Sequence, residues 1–325
     1  MARQYRSELL DGPKPQKKIS KADADLRLKA KRIALARRSL PGFVEYVLRD
    51  NNGNPVTPAV HQISWWKHLL YSCSIKKIAA ILAPMGHAKT QWMAVALPLY
   101  LLGLNPNLRI MIISSGQETA VERMETIGAY IENSPEYKEV FPWVERDFDK
   151  AWNTNKKNVK KIGIDGRFAV SVNSSLQAYG YETRGVGGRF DVVIFDDVVD
   201  EKNSGDSVAG RAGLKRICES TWLTRLEPNP IYSLDKKLIS PGPIRVVIGT
   251  RYHEEDFYAD PIMSSPDAYC TMVQAVSQDY SYLDVEIIGS LRSPAHPAFE
   301  EYGQFIPPPI ELIAGAPVEP VIYEF

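Results

Sequence analysis

Apolar residues in this 325-residue chain fall into two kinds of run. The first kind is short and continuous: KIAAILA at 77–83, LRIMIIS at 108–114, FAVSV at 168–172, DVVIFDD at 191–197 and IRVVIGT at 244–250. Continuous runs of that length, without polar alternation, predict strands buried on both faces. The second kind has helical character. MAVALPLYLLGL at 93–104 is apolar all round and reads as a buried helix, while QETAVERMETIGAYIENS at 117–134 places Ala120, Met124, Ile127 and Ile131 on one face. Strands alternating with helices predict an α/β fold with a mostly parallel central sheet flanked by helices.

The ends of the chain read differently. Residues 1–20, which include DGPKPQKK, suit a flexible leader; residues 22–40 have helical spacing, with Leu26, Leu28, Ile33, Leu35 and Leu40 among charges. Pro41-Gly42 is expected to stop that helix, and HQISWWKHLLY at 61–71 forms another. After about residue 262 the alternation stops, and the remainder is rich in proline without a period. The expected division is a basic arm and helix over 1–42, an α/β domain over 43–262 and a proline-rich tail or linker over 263–325. No internal repeat is visible.

Composition narrows the setting. Three cysteines, Cys73, Cys218 and Cys270, are far apart and odd in number. They make neither a zinc spacing nor a disulfide framework, which favours a reducing, cytosolic compartment. The sequence carries no signal-peptide pattern, and its most apolar run is too short to span a bilayer. Net charge is zero but uneven: residues 1–40 hold twelve Lys and Arg against four acids. Such an arm suits a polyanion partner, because phosphate contacts release counterions. A solvated amphipathic helix behind a leader accounts for the same charges.

The chemistry gathers at the ends of the strand-like runs. APMGHAKT at 83–90 follows the first run and precedes an apolar helix. A phosphate-binding loop reads G-x-x-x-x-G-K-[ST] in that context; here Ala83 and Ala88 stand at the glycine places, with Gly86 between them. The backbone of Pro84, Met85, Gly86, His87 and Ala88 would wrap a phosphate, Lys89 would meet the β/γ oxygens, and the Thr90 hydroxyl would face Mg²⁺. Ala88 is tolerable there if its φ is negative. Alone, the match competes with an ordinary strand-turn-helix. DVVIFDD ends in Asp196 and Asp197, and carboxylates on a buried strand need water, metal or partners; a solvated acidic loop is the plainer alternative. YETRGVGGRFD at 181–191 supplies Arg184 and Arg189, which either act on a phosphate or pair with acids such as Asp191. VVIGTRYHEEDFY at 246–258 ends a strand in Gly249 and Thr250, with His253 beyond; polar groups there point at the ligand crevice of an α/β sheet. A lone histidine such as His253 is more often structural.

In this order, APMGHAKT, SSGQETAVERM, SLQAYGYETRGVGGRFDVVIFDD and GTRYHEEDFY resemble the ATPase part of the large terminase subunit of tailed bacteriophages, the motor that packages DNA into the procapsid. The resemblance covers roughly residues 43–262 and implies a P-loop NTPase fold of the ASCE/RecA-like type, with ATP and Mg²⁺ as its ligands. It implies phosphate and Mg²⁺ roles for Lys89 and Thr90, a Mg²⁺-linked acid in Asp196 and a water-polarising acid in Asp197. Gly249-Thr250, with His253, would be the coupling motif. Gln62 resembles the adenine-reading glutamine, and Arg184, then Arg189, the arginine acting on a neighbouring subunit's ATP. The implied partners are double-stranded DNA, the portal protein of the procapsid, a small terminase subunit and further copies in a ring, with a monomer expected in isolation. The implied location is the host cytoplasm, transiently at the portal, without a membrane. The sequence also departs from the family. Met85 occupies the place of a common loop arginine, and Asp197 that of a common glutamate. Asp284, Glu286, Glu300 and Glu301 are scattered among prolines, so no nuclease with a two-metal acidic cluster is expected. A degenerate, non-hydrolysing DNA or capsid assembly protein and a helicase-like ATPase remain the competing readings.

Overall fold

A computed structural model describes residues 20–50, 52–162, 168–169, 174–183, 187–200, 208–250, 256–258, 265–276 and 283–288. Its centre is an eight-stranded sheet. In chain order the strands are β1 (Ile78–Leu82), β2 (Ile110–Ser114), β3 (Lys156–Lys157), β6 (Leu176–Gly180), β7 (Val192–Asp196), β10 (Ile244–Gly249), β11 (Tyr269–Val276) and β12 (Leu283–Ile288), with the hairpins β4 (Lys161–Ile162)–β5 (Phe168–Ala169) and β8 (Ile231–Tyr232)–β9 (Leu238–Ser240) outside it. The spatial order is β12-β11-β1-β10-β7-β2-β6-β3. The six strands from β11 to β6 are parallel, and β12 and β3 close the edges antiparallel.

The continuous apolar runs are explained by two cores. Ala79 and Ile81 of β1 point to one face with Ile110, Ile112, Ile194, Val246 and Ile248; Ile78, Ala80 and Leu82 point to the other with Met111, Ile113, Val193 and Phe195. The first face is covered by α1 (Lys21–Arg38), α2 (Leu40–Val47), α3 (Val60–Ser74), α4 (Leu97–Leu104), α5 (Gln117–Asn133) and α6 (Pro135–Val140). On the second face lie Leu214 of α7 (Val208–Ile217), Trp222 and Tyr258. Because side chains alternate along a strand, both neighbours of each residue must be apolar when both faces are covered. The stripe expected on α5 is the one buried: Ala120, Met124, Ile127 and Ile131.

Several local expectations are corrected. Pro41-Gly42 does not simply end the first helix but opens α2: Ser39 lies between α1 and α2, and its hydroxyl accepts from the Gly42 amide at 3.2 Å. Proline suits a first helical turn, where its missing N–H is not needed. The α1 leucines do not form a core face; Leu26, Leu28 and Leu35 are exposed and only Ala36 is buried. α1 docks through Ala36 and partly buried Ile33, and through polar contacts, Lys29 to Glu139 at 2.7 Å and Arg37 Nε to the Val140 carbonyl at 2.7 Å. Part of the basic charge is thereby used internally. FAVSV does not supply a described strand of the central sheet: Phe168–Ala169 pairs with Lys161–Ile162 in a small hairpin, and residues 170–172 lie outside the described residues. The strand beside β2 is LQAYG, whose glutamine is buried and accepts from the Tyr179 hydroxyl at 2.6 Å. The strand pattern also continues past residue 262, since β11 pairs with β1 along five residues.

Candidate phosphate-binding site

Strand order brings three chain segments to one edge. β10 lies between β1 and β7, with Leu82 level with Gly249 and Ile248 level with Asp196. Pairing extends one step past each strand: the Ala83 amide donates to the Gly249 carbonyl at 3.1 Å, and the Asp197 amide to the Ile248 carbonyl at 3.0 Å. The loop after β1, Thr250 after β10 and the two acids ending β7 therefore converge at the carboxyl ends of adjacent parallel strands, where α/β sheets form their ligand crevices.

The loop turns through two left-handed residues. Gly86 has φ +80°, with nothing near the place of a Cβ, and Ala88 has φ +60°. The condition under which alanine is tolerated there without strain, a negative φ, is therefore not met. A turn that draws its amides together needs a left-handed residue before the lysine, and alanine supplies it at a steric cost of roughly 1–2 kcal/mol. The helix begins at Lys89 and widens at once into a π-helical stretch, Gln91–Ala96, before α4.

Lys89 is buried, and its ammonium donates to the Pro84 carbonyl at 3.0 Å and to the Thr250 hydroxyl at 2.8 Å. Burial holds its pKa below the ordinary lysine value, and the charges of Asp197 and Asp196 oppose that shift. Thr250 faces three ways: its hydroxyl also donates to the Ala83 carbonyl at 3.3 Å, and its amide donates to Asp197 Oδ1 at 3.0 Å. Asp197 has φ +45°. Burial raises its pKa above the ordinary carboxylate value, against the pull of Lys89. Gly249 is required by close approach, because an added Cβ would lie 2.2 Å from the ring of buried Tyr258.

Asp196 is completely inaccessible, and each of its oxygens has a donor. The Thr90 hydroxyl donates to Oδ1 at 2.9 Å, and Arg123 Nε donates to Oδ2 at 2.8 Å. Thr90 and Asp196 are the pair that would hold a Mg²⁺ ion; their touching oxygens suit a cation that takes few protein ligands and completes its shell with phosphate and water. Among the described residues no group of three or more His, Cys, Asp and Glu forms an all-protein metal cage.

The remaining expected residues divide. Gln62, on α3, reaches the loop: its Nε2 donates to the His87 carbonyl at 3.4 Å, and its Oε1 accepts from the Ala59 amide at 2.9 Å. The His87 ring lies 5.4 Å from that of His61, and Met85 is exposed. Arg189 is exposed at the entry to β7, bonded to the Thr224 carbonyl at 3.0 Å. It precedes Asp196 by seven positions, roughly 20 Å at the rise of extended chain, so it does not join its own chain's cluster. Among the described residues Asp191 is not paired with Arg189; Arg109 holds it through Nε at 2.9 Å and Nη2 at 2.6 Å. Arg184 and His253 lie outside the described residues. Arg123 is the residue that sequence reasoning missed. It sits in the quoted segment SSGQETAVERM, but only strand order, with Ser114 of β2 level with Asp196, places the start of α5 beside β7.

No protein-family model matches the sequence, and no curated protein matches it. Among solved structures, the chain is similar to the crystal structure of the HK97 bacteriophage large terminase, with 13% sequence identity and a TM-score of 0.44. That similarity covers 75% of this chain and 44% of the other, so the chain spans less than half the length of the terminase it matches. Among the described residues no helix is long and apolar enough to cross a membrane.

Proposed function

We propose that this chain is the ATP-hydrolysing subunit of a viral DNA-packaging motor, moving double-stranded DNA into a procapsid. The observation that carries the reading is the convergence of Lys89, Thr90, Asp196, Asp197 and Thr250 at the carboxyl ends of β1, β7 and β10. The order of motifs along the sequence supports the packaging context.

In this reading the loop over 84–88 receives the phosphates through its amides, and Lys89 exchanges the Pro84 carbonyl and the Thr250 hydroxyl for phosphate oxygens. Thr90 and Asp196 would hold Mg²⁺, which when bound would neutralise charge on the phosphate oxygens. Asp197 polarises a water and accepts a proton from it as the water's oxygen bonds to the γ-phosphorus; the bond from phosphorus to the bridging oxygen breaks with its electron pair left on ADP, giving ADP and phosphate. Thr250, freed from Lys89 but still tied to Asp197, passes the change to the segment beyond β10. An arginine of a neighbouring copy, Arg184 before Arg189, completes the site in a ring. The basic amino-terminal arm meets DNA, a small terminase subunit or the portal, and the protein acts in the host cytoplasm.

Steady-state ATP hydrolysis at high protein concentration, with and without double-stranded DNA and beside Lys89→Ala, tests the proposal. Turnover that falls at least about 100-fold in the variant is expected, the scale of losing one charge-stabilising donor. Absence of both turnover and labelled-ATP binding in the unmodified chain rejects it.

A further inference from the structure

The two oxygens of Asp196 are held by different elements, and that division carries an assignment of its own. Oδ1 accepts from Thr90, the residue after the loop lysine; Oδ2 accepts from Arg123 on α5. A carboxylate with no solvent access needs a cationic or multiply donating partner. Lys89 is not that partner, since its bonds go to Pro84 and Thr250. Arg123 has one foot in the site and one at the surface: its Nη1 lies 3.1 Å from the exposed carboxylate of Glu122. It meets Asp196 through a single N–H and leaves the oxygen on the Thr90 side for another ligand.

We infer that Arg123 is a positioning residue for Mg²⁺–nucleotide binding, fixing the rotation of Asp196 so that Oδ1 alone is presented beside Thr90. A carboxylate free to rotate can turn either or both oxygens toward a cation. Mg²⁺ demands near-ideal octahedral geometry, so a fixed single oxygen favours its binding. The outer bond that orients a metal ligand is typically worth a factor of 10–100 in metal affinity or activity. The inference rests on the phosphate-loop reading above.

The test uses the full chain with Mn²⁺ as a spectroscopic substitute, titrated in the presence of a non-hydrolysable ATP analogue and followed by electron paramagnetic resonance. Unmodified protein is compared with Arg123→Gln and Arg123→Lys, each checked for a native circular dichroism spectrum. The expected result is Mn²⁺ affinity weakened about 10-fold or more in Arg123→Gln, with partial recovery in Arg123→Lys. Metal-free binding of the analogue should change by less than about twofold in both variants. Unchanged Mn²⁺ affinity in a folded variant, with binding intact in the unmodified chain, overturns the role of Arg123 alone. Equal weakening of metal-free nucleotide binding assigns Arg123 a general structural role and also overturns it. If the unmodified chain binds neither analogue nor metal, the phosphate-loop reading falls and this inference with it.

Discussion

The Lys89 ammonium and the Thr250 hydroxyl lie 2.8 Å apart, joining the loop after β1 to the end of β10. The cation expected to meet phosphate therefore already has partners, and one belongs to the neighbouring strand. Thr250→Val removes the hydroxyl and keeps the shape. Hydrogen bonds to charged groups contribute about 1.5–3 kcal/mol, so chemical denaturation of nucleotide-free Thr250→Val should show a loss of about that size. Binding of a fluorescent ATP analogue should be no weaker, because Lys89 has less to give up. Unchanged stability would remove the bond from the account.

Ala88 predicts the reverse sign. At φ +60° its Cβ is strained, and glycine is not. Ala88→Gly also frees the unfolded chain, which offsets roughly 0.4–1 kcal/mol. The net expectation is stability equal to, or up to about 1.6 kcal/mol above, the original. Ala88→Val, with a β-branched residue in the same conformation, should lose more than about 1 kcal/mol. Both are read from denaturation midpoints.

Gly249→Ala would drive a methyl into the Tyr258 ring. Overpacking of a filled core costs about 1–3 kcal/mol. The loss should shrink when Tyr258 is replaced by leucine in the same chain, and a double-mutant cycle measures the coupling.

Asp197 titrates above the ordinary carboxylate range because it is buried, so it holds its proton in the folded chain at pH values where the unfolded chain has released it. Stability therefore falls as pH rises from the ordinary carboxylate range through the raised pKa, and the deficit persists above it. Asp197→Asn should raise the melting temperature at neutral pH, and that advantage should vanish under more acidic conditions. In the proposed hydrolysis Asp197 acts in its ionised form, so the acid limb of the kcat/KM profile should be displaced upward from that of an ordinary aspartate.

The readability of the sequence follows the physics. Runs such as IAAIL and VVIFD are buried on both sides and so are apolar throughout, which made β1, β7 and β10 visible. LQAYG was hidden by its buried glutamine, whose partner is the tyrosine two residues on. β11 was missed because Tyr269 to Val276 mixes Thr and Gln into a strand that β1 recruits. Thr250 and the two acids stood out as candidates because each ends an apolar run, and Lys89 and Thr90 because APMGHAKT lies between an apolar strand and an apolar helix. Arg123 was not, since nothing in a helical sequence says which strand end its second turn will face. The φ of Ala88 was left open by the sequence because a loop's handedness depends on where its helix must start.

The π-helical stretch Gln91–Ala96 has a further consequence. Its closing bond runs from the Leu97 amide to the Trp92 carbonyl, five residues back rather than four. The turn thus holds one residue more than an α-helix would, and each residue of an α-helix rotates the following face by about 100°. Lys89 and Thr90 answer to the strand ends, while Leu97–Gly103 answer to the hydrophobic interior. The extra residue absorbs the phase difference between these two demands, so a chain lacking it could satisfy the site or the interior by regular winding, but not both.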